Sequence, residues 1–323
     1  MTKNTMAEPY TVLHGGFHKT ASTFLQKSLQ RNKGKLAKSG VHYVPHRDLR
    51  KHFTVPCQQN AYQEIGIKRK TEIGDEQLRQ MADKFFAPVT TDPPMRLILS
   101  DENFAGHCGN CVKTGQLYRF RDPFMASFAK VTPYPVQEIF LSVRNYADFF
   151  AGAYVEYVRS LQNDSTAITT PQMMRTRVFN HMPGWNGVIN IVAQHFPQAR
   201  IFVWRFEDFV ADERMAPALL QKLVGNMVDV QSFKAPQGNS QRQSASARAM
   251  AELERIALTD GLPRMVAERQ EIQNRFPRNA QNGRFDPWEV WERAHLDRLY
   301  ARDITRLRTN RSVTLLEPST LIA

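Results

Sequence analysis

Short apolar runs that alternate with helix-like segments are the feature that most limits how this chain can fold. Each run is four to six residues long and is rich in Val, Ile, Leu and aromatic residues. We predict strands at 10–14, 41–44, 95–100, 138–143 and 199–204. Strands separated by helices pair in parallel and are covered by helices on both faces. The sequence therefore predicts an α/β fold with a central parallel β-sheet flanked by helices.

Apolar residues spaced three or four positions apart predict helices in six segments. These segments are 20–38, 76–86, 146–161, 180–196, 245–257 and 287–307. Segment 105–135 is expected to be loop with a short helix, and no strand is predicted beyond residue 244. Because no repeat or clear linker divides the 323 residues, we expect one domain over 1–323. Its core is predicted at about 8–244, and a helical C-terminal cap at about 245–312.

The charge of the chain favours an anionic partner. It is +12, from 43 Lys and Arg against 31 Asp and Glu, and such an excess attracts phosphate, sulfate or nucleic acid. Residues 1–52 hold ten Lys or Arg and two acids, so the anion is expected near this segment. A basic nucleic-acid-binding protein stays an alternative on charge alone, since no helix-turn-helix, zinc-finger or RNA-binding aromatic motif is present.

Targeting and cysteine signals are sparse. Residues 1–10 lack the apolar stretch of a secretory signal, and no apolar run reaches membrane-spanning length. Cys57, Cys108 and Cys111 are too few for a disulfide framework. We expect a cytoplasmic protein with no membrane span. The Cys108-x-x-Cys111 pair lacks the context of a zinc or redox motif, so incidental thiols are expected and a local disulfide stays open.

The segment that follows the first predicted strand has the parts of a phosphate site. It reads LHGGFHKTASTFLQ over 13–26, so a strand meets glycines, a lysine and several hydroxyls at the start of a helix. Backbone N–H groups at a helix start favour an anion, and glycine lets the chain approach it closely. The Walker A pattern needs Gly before its Lys, and His18 stands there. A nucleotide-dependent kinase is therefore the alternative rather than the first choice.

The stretch GFHKTASTFLQ resembles the 5′-phosphosulfate loop of the sulfotransferase superfamily, which uses 3′-phosphoadenosine-5′-phosphosulfate (PAPS). The resemblance is to the bacterial and carbohydrate-type members and implies a P-loop-like sheet. It also implies that Lys19 stabilises the leaving phosphate and that the cofactor contacts include Lys19, Thr20, Ala21, Ser22 and Thr23. His18 and His14 flank the loop and are candidate donors to the nucleotide.

A second stretch is similar to the 3′-phosphate element of the same superfamily. In that element a strand ends in Arg, and a Ser follows eight residues later. Here Arg144 follows the strand predicted at 138–143, and the position eight residues on is Gly152. The resemblance therefore assigns Arg144 to the 3′-phosphate, while the Ser is replaced by Gly152. Arg242, in a Ser- and Asn-rich stretch, is a further candidate for the 3′-phosphate.

Sulfuryl transfer needs a base for the acceptor proton. Glu102 directly follows the strand predicted at 95–100, and the carboxyl ends of parallel strands gather beside the phosphate loop. The stretch Ser100-Asp-Glu-Asn103 resembles the S-x-E-N segment of bacterial sulfotransferases, in which this Glu acts as the base. His107 is the alternative base, and Asp101 is expected to cap a helix.

Together these patterns predict an enzyme that transfers a sulfuryl group from PAPS to a hydroxyl of an unidentified acceptor. Acceptors consistent with the resemblance are a carbohydrate, a glycolipid or a small-molecule alcohol, and the product nucleotide is 3′,5′-adenosine bisphosphate (PAP). The resemblance implies no metal. A sulfotransferase-fold protein without activity stays open because of Gly152.

Overall fold

The computed structural model describes residues 8–236 and 244–322 of the chain. In these ranges the strands are β1 (Tyr10–His14), β2 (Val41–Val44), β3 (Arg96–Ser100), β4 (Val136–Val143), β5 (Arg200–Arg205) and β6 (Val313–Leu316). They form one six-stranded sheet in the order β2-β3-β1-β4-β5-β6, and every pair is parallel. The predicted α/β fold with a parallel sheet and a helical C-terminal region is confirmed.

Helices cover the sheet in the described ranges. The first eight are α1 (Ser22–Arg31), α2 (Lys33–Lys38), α3 (His46–Leu49), α4 (Val55–Glu64), α5 (Asp75–Thr91), α6 (Cys108–Thr114), α7 (Arg121–Val131) and α8 (Tyr146–Ser160). The others are α9 (Pro171–His181), α10 (Trp185–His195), α11 (Phe206–Ala211), α12 (Met215–Val224), α13 (Ala247–Thr259), α14 (Leu262–Arg275), α15 (Val290–Thr309) and α16 (Pro318–Leu321).

The alternation of side chains along each strand divides the core into two layers. Val12 and Ile98 face α1 and α12, in the smaller cluster. Leu13, Leu97 and Leu99 face the larger cluster, to which α4 to α8 and the C-terminal helices contribute. The central strands β1, β3, β4 and β5 are mostly buried on both faces, which is why they read as continuous apolar runs in the sequence.

The order of the strands places a crevice at the carboxyl ends of β1 and β3. These strands are neighbours, with His14 opposite Ser100. The chain leaves β1 toward α1 in the smaller layer and leaves β3 toward α6 in the larger layer. Neighbouring strands whose helices depart to opposite faces open a crevice at their carboxyl ends, where ligands bind in open α/β sheets.

One strand was missed by the sequence reasoning. We predicted none beyond residue 244, which is wrong because β6 lies at Val313–Leu316 and pairs with β5. Its side chains are mostly half-buried or exposed, with only Leu316 buried. The run Val-Thr-Leu-Leu is four residues long and closely follows a 20-residue helix, and so short a run cannot be told from a helical segment by periodicity alone.

Several helical regions also differ from the prediction, among them 20–38 and 46–64. The helix expected over 20–38 is divided at Asn32, whose side-chain amide donates to the carbonyl oxygens of Ser28 and Lys234 at 2.8 and 3.0 Å. Residues 46–64, for which no helix was predicted, are helical throughout because a π-helical turn at Arg50–Thr54 joins α3 to α4. Such turns are rare and occur frequently at functional sites.

Candidate functional site

The backbone between β1 and α1 adopts a left-handed conformation at two residues that are not glycine. Lys19 has φ 67° and Ala21 has φ 63°, which costs a residue with a side chain about 1–2 kcal/mol. Turns of this kind direct successive backbone N–H groups toward one side and make anion-binding concavities. Ala21 is also the N-cap of α1, and no side chain caps the helix there. No side chain at Ala21 accepts a hydrogen bond from the first backbone N–H groups of α1. Such N–H groups can instead donate to a bound anion.

Glycines let this loop lie close against its surroundings. A Cβ on Gly16 would lie 2.7 Å from Nε2 of His14, and one on Gly15 would lie 2.9 Å from the ring of Phe104. Neither space admits a side chain without movement of the core. The hydroxyl of Thr20 donates to the carbonyl oxygen of Phe17, which fastens the turn from within.

The side chain of Lys19 extends along one face of α8. Its Cγ lies 3.2 Å from the position that a Cβ on Gly152 would occupy. Its ammonium pairs with Oε2 of Glu156 at 2.7 Å, with both side chains about one-fifth exposed. Gly152 and Glu156 are four residues apart and so share a face of the helix. Gly152 thus provides room for the aliphatic part of Lys19 at the position where the resembling family has Ser.

Arg144, which follows β4, contacts the backbone of the loop between β1 and α1. Its Nη1 donates to the carbonyl oxygen of Lys19 at 2.7 Å, and its guanidinium lies 4.5 Å from the ring centroid of Phe206. Nε of Arg144 is buried and has no hydrogen-bond partner within the protein. Burial lowers the pKa of this guanidinium. Arg144 therefore supports the left-handed turn and leaves one buried donor unsatisfied.

Glu102 lies just beyond β3, and both of its oxygens have donors. Arg50 Nη2 contacts Oε1 at 2.8 Å, and Gln26 Nε2 donates to Oε2 at 2.9 Å. Burial disfavours the charge on Glu102, but the Arg50 guanidinium and the Gln26 amide outweigh it and lower its pKa to about 2. The predicted base is therefore fully ionised near neutral pH and tightly held.

The same arginine holds the neighbouring carboxylate. Arg50 Nε and Nη2 donate to Oδ1 of Asp101 at 3.1 and 2.5 Å. Asp101 is only 3% exposed, and this burial raises its pKa despite the arginine. Asp101 Oδ1 also accepts from the backbone N–H of Asn103 at 3.0 Å. It holds the turn after β3 rather than capping one of the helices.

Asn103 links the carboxylates of Asp101 and Glu102, through Arg50, to His18 in the loop between β1 and α1. The Arg50 guanidinium can only donate, so the Asn103 atom that faces it at 2.8 Å is the amide oxygen. The amide nitrogen then donates to Nε2 of His18 at 2.8 Å. Nδ1 of His18 lies 3.2 Å from the hydroxyl of Tyr118. Burial lowers the pKa of His18 to about 3, so the ring is neutral and positions the loop.

His14 lies beneath the loop at the end of β1. Its Nδ1 is 2.7 Å from the Ser100 hydroxyl, and its ring stacks on Trp204 with centroids 6.0 Å apart. Nε2 has no partner within the protein and lies next to Gly16. Burial lowers the pKa of His14 to about 4. The floor of the site is therefore uncharged near neutral pH.

His107 caps α6, since its Nδ1 accepts the backbone N–H of Gly109 at 3.0 Å. An imidazole that accepts at Nδ1 carries its proton at Nε2 when neutral. The exposed side of this ring is then a donor, which fits a general base poorly. In the structure as described, Cys57, Cys108 and Cys111 are free thiols, and burial raises the pKa of Cys111 to about 12.

One group among the described residues has the composition of a metal site. The ligand atoms of His18, His107 and Cys108 lie within 4.8 Å of one another. His18 Nε2 and His107 Nδ1 already accept hydrogen bonds, and Cys108 is fully buried. Metal binding would have to displace those donors as well as the thiol proton.

The structure brings most of the predicted site residues to one crevice. Lys19, Arg144 and Gly152 meet at the phosphate loop, and Glu102 lies beside it through its contact with Gln26 of α1. Ser22 and Thr20 are buried in the loop and Thr23 is exposed. Arg242 lies outside the described residues.

Four side chains at the site were missed by the sequence reasoning. They are Gln26, Arg50, Asn103 and Glu156. Asn103 was inside the S-x-E-N stretch and could have been proposed from that resemblance. Glu156 lies four residues after Gly152, so helical spacing could have placed it near Lys19. No sequence signal marks Arg50, because residues 46–64 have no readable amphipathic pattern.

Comparison with known proteins adds no relative. No protein-family model matches the chain, and a comparison with curated proteins likewise finds no match. Among the described residues, the structure contains no helix that combines the length and the apolar character needed to cross a membrane.

Proposed function

We propose that the protein is a PAPS-dependent sulfotransferase. The observation that carries the proposal is the turn at Lys19 and Ala21, where left-handed residues lead into a helix without a side-chain cap. Strain at residues with side chains persists where function uses the geometry. The guanidinium of Arg144 contacts the carbonyl oxygen of Lys19, and the ammonium of Lys19 lies beside α8. Two cations therefore border the turn, which supports a donor with two phosphate groups.

The donor is proposed to bind along this loop. The backbone of residues 19–23 and the hydroxyls of Ser22 and Thr23 would hold the 5′-phosphosulfate at the start of α1. Thr20 would contribute its backbone N–H, because its hydroxyl donates to the carbonyl oxygen of Phe17. Arg144 would hold the 3′-phosphate through its unsatisfied Nε, with Arg242 as a second contact. Gly152 keeps the path of Lys19 along α8 open, so the missing Ser does not by itself remove the site.

The transfer step can be written with the residues of the crevice. The acceptor oxygen forms a bond to sulfur while the bond between sulfur and the bridging phosphate oxygen breaks. Glu102 receives the acceptor proton, and Lys19 offsets the negative charge that develops on the bridging oxygen of departing PAP. Preorganised charges of this kind contribute about 10²–10³ in turnover.

The low pKa of Glu102 constrains the timing of proton transfer. A carboxylate with a pKa of about 2 is a weak base toward an alcohol. The acceptor oxygen becomes strongly acidic as its bond to sulfur forms, so the proton moves late in the step. His107 is the less suitable base, because its capping role leaves the proton on the exposed nitrogen.

A cytoplasmic location belongs to the same proposal. Its support is that the thiols of Cys57, Cys108 and Cys111 are free, as is usual in a reducing compartment. The acceptor class proposed at this level is a hydroxyl of a carbohydrate, a glycolipid or a small-molecule alcohol.

The test is calorimetric titration of PAP into the wild type, Lys19→Ala and Arg144→Ala, with ATP and Mg²⁺ as the comparison ligand. A charge-assisted hydrogen bond contributes about 1.5–3 kcal/mol, so each variant is expected to bind PAP at least about tenfold more weakly. Lys33→Ala is the matched control, since Lys33 is an exposed lysine of α2. No binding of PAP, or tighter binding of Mg·ATP, would overturn the proposal and favour a phosphotransferase.

A further inference from the structure

The start of α15 carries an exposed apolar patch. Val290 is 90% exposed and Trp291 is 63% exposed. The ring of Phe179 in α9 lies against Trp291, with the ring centroids 5.2 Å apart. Met182, three residues after Phe179, is 46% exposed. Single exposed apolar side chains are ordinary, but neighbouring ones that form a patch mark a site of interaction.

The outward face of α15 continues from this patch as a row of arginines. Arg298 and Arg302 follow Trp291 by seven and eleven residues, so all three lie within about 20° of one direction around the helix. Both arginines are exposed, and neither forms an ion pair with a described residue. The side chain of Arg306 is 71% exposed and lies 3.9 Å from Oδ1 of Asp303. The row therefore has positive charge that the described part of the chain does not neutralise.

The opposite face of α15 is packed, so the helix presents only this outward side. Leu296 and Ile304 are buried in the core, and two of the three acids of the helix are buried as well. The third acid, Asp297, accepts a hydrogen bond from the Asn145 amide at 2.8 Å. Asp297 lies about 100° around the helix from Arg298. The row of arginines is thus not interrupted by an acid.

An apolar patch that leads into unpaired arginines matches the surface of an anionic bilayer. Trp side chains settle at membrane–water interfaces because the ring is apolar and its N–H can reach water. Each arginine near an anionic lipid surface raises the binding constant about fivefold. Trp291 and Arg302 are about 16 Å apart along the helix axis. Because they share one direction, both can contact the same flat surface.

Two other occupants fit this surface less well. A two-fold contact with a second copy of the chain would bring the same patch of each copy together, and the arginines of the two copies would repel each other. A nucleic acid would pair with the arginines, and its bases would stack on Trp291. It offers nothing apolar to Val290, which is 90% exposed beside Trp291.

We infer that Val290, Trp291, Arg298 and Arg302 form a docking surface for a membrane that contains anionic lipids. The contact is peripheral: the two apolar side chains enter the headgroup boundary, and the two arginines meet the anionic headgroups. The inference goes beyond the proposed function and does not depend on it, because none of these four residues belongs to the crevice at the phosphate loop.

The experiment follows the tryptophan fluorescence of the full chain when vesicles are added at low salt. Of its four tryptophans, Trp185, Trp204 and Trp288 are at most 9% exposed, whereas Trp291 is 63% exposed. A change in emission on binding therefore reports Trp291. Vesicles of phosphatidylserine and phosphatidylcholine in equal parts should shift the emission to the blue and protect it from acrylamide. Vesicles of phosphatidylcholine alone should do neither.

Cosedimentation with the same vesicles measures the contribution of charge. The double variant Arg298→Gln/Arg302→Gln should bind the anionic vesicles about thirtyfold more weakly, since each arginine contributes about fivefold. The matched control is Arg79→Gln/Lys84→Gln, which removes the same charge from exposed residues of α5. The control should bind nearly as well as the wild type, because its charges lie outside the docking surface.

The apolar contribution has its own pair of variants. Trp291→Ala should lose most of the vesicle binding that cosedimentation detects. Leu258→Ala, at a residue of α13 that is also 63% exposed, should retain it. Equal binding of the two kinds of vesicle, an unchanged emission, or equal effects of the two double variants would overturn the inference.

Two further measurements test the other occupants. Binding of a single-stranded oligonucleotide that Trp291→Ala abolishes, without binding of vesicles, would overturn the inference in favour of a nucleic acid. A dimer in analytical ultracentrifugation that Trp291→Ala dissociates would overturn it in favour of a second copy. PAP affinity should be the same in Arg298→Gln/Arg302→Gln and in the wild type. Failure of the wild type to bind PAP would refute the proposed function and leave this inference standing.

Discussion

The ammonium of Lys19 and the carboxylate of Glu102, both beside the loop between β1 and α1, are held in contrasting ways. The ammonium of Lys19 pairs with the carboxylate of Glu156 at 2.7 Å, and both side chains are partly exposed. The carboxylate of Glu102 is fixed by Arg50 and Gln26, and Arg50 also holds the buried Asp101. A cation in one partly exposed pair can exchange its partner for an incoming anion at little cost. Glu102 is as exposed as Glu156, 19% against 18%, but each of its oxygens has a donor, so it keeps its position and charge.

The contrast separates two kinds of contribution. At Lys19 the protein stores strain in the backbone, with left-handed residues on both sides of Thr20, and leaves the charge adaptable. At Glu102 the backbone has no left-handed residue, and the side chain is held by hydrogen bonds from Arg50 and Gln26. The first arrangement suits binding of a ligand that comes and goes, whereas the second suits a group that acts at one place.

The largest expected effect comes from removing the centre of the fixed network. Arg50→Met leaves the buried carboxylate of Asp101 and the partly exposed carboxylate of Glu102 without their cation. Removing one partner of a buried pair costs about 3–5 kcal/mol, so we expect a fall of that size in the free energy of unfolding. Urea denaturation at pH 7 measures it. The control is Arg264→Met in α14, where Arg264 forms an exposed pair with Glu268, and it should leave the urea midpoint unchanged. An equally small effect of Arg50→Met would remove the distinction between the two groups.

The second prediction concerns the loss of stability in acid that is caused by the buried His14, which lies beneath the loop between β1 and α1. Burial holds the pKa of His14 at about 4, against 6.5 for the unfolded chain. As pH falls below 6.5 the unfolded chain binds the proton first, so stability is lost until about pH 4. At 1.36 kcal/mol per pKa unit the loss from His14 is about 3 kcal/mol.

His14→Gln checks this assignment, since the amide keeps a hydrogen-bonding group near Ser100 but does not titrate. The difference in the free energy of unfolding between pH 7 and pH 4 should shrink by about 3 kcal/mol in the variant. His181→Gln, at an exposed histidine, serves as the control. If His14→Gln and the wild type lose the same stability in acid, His14 is not the group responsible.

A smaller effect is expected where Lys19 crosses α8. In Gly152→Ala the new Cβ would lie 3.2 Å from Cγ of Lys19, so the lysine must shift. We expect about tenfold weaker binding of PAP, while the free energy of unfolding stays equal or rises because Ala favours the helix by up to about 1 kcal/mol. Calorimetry and urea denaturation measure the two. Gly187→Ala, in α10 with nothing near its Cβ, should change stability alone; unchanged PAP affinity in Gly152→Ala would refute the close approach.

The smallest effect is expected at the adaptable pair itself. Glu156→Gln removes the negative charge next to Lys19 and keeps a hydrogen-bonding side chain. Because partly exposed pairs contribute about 0–1 kcal/mol, stability should barely change, while PAP should bind a few-fold more tightly at low salt. The gain should fade as salt screens the charge. Weaker binding of PAP in Glu156→Gln would show that Glu156 positions Lys19 for the ligand rather than competing with it.

The sequence predicted the parts of the site that follow a strand directly. Lys19, Glu102 and Arg144 each come just after a continuous apolar run, and parallel strands gather their carboxyl ends at one edge. Those three positions, and the sheet itself, are local patterns that can be read along the chain. The edge strand β6 was missed because its four-residue run closely follows a long helix, where periodicity does not distinguish a strand from a helical segment.

Only the tertiary structure decided how these residues are paired. Arg50 reaches Asp101 and Glu102 from a π-helical turn some 50 positions earlier, and Glu156 meets Lys19 from 137 positions away. Such pairs leave no periodicity in the sequence, because charge pairing depends on distance in space. The sequence by itself determined the parallel sheet and the position of the glycine-rich loop proposed to bind an anion. Packing decided that the loop cation is adaptable and the carboxylate beside it is fixed, since burial and neighbouring donors set the charge of each group.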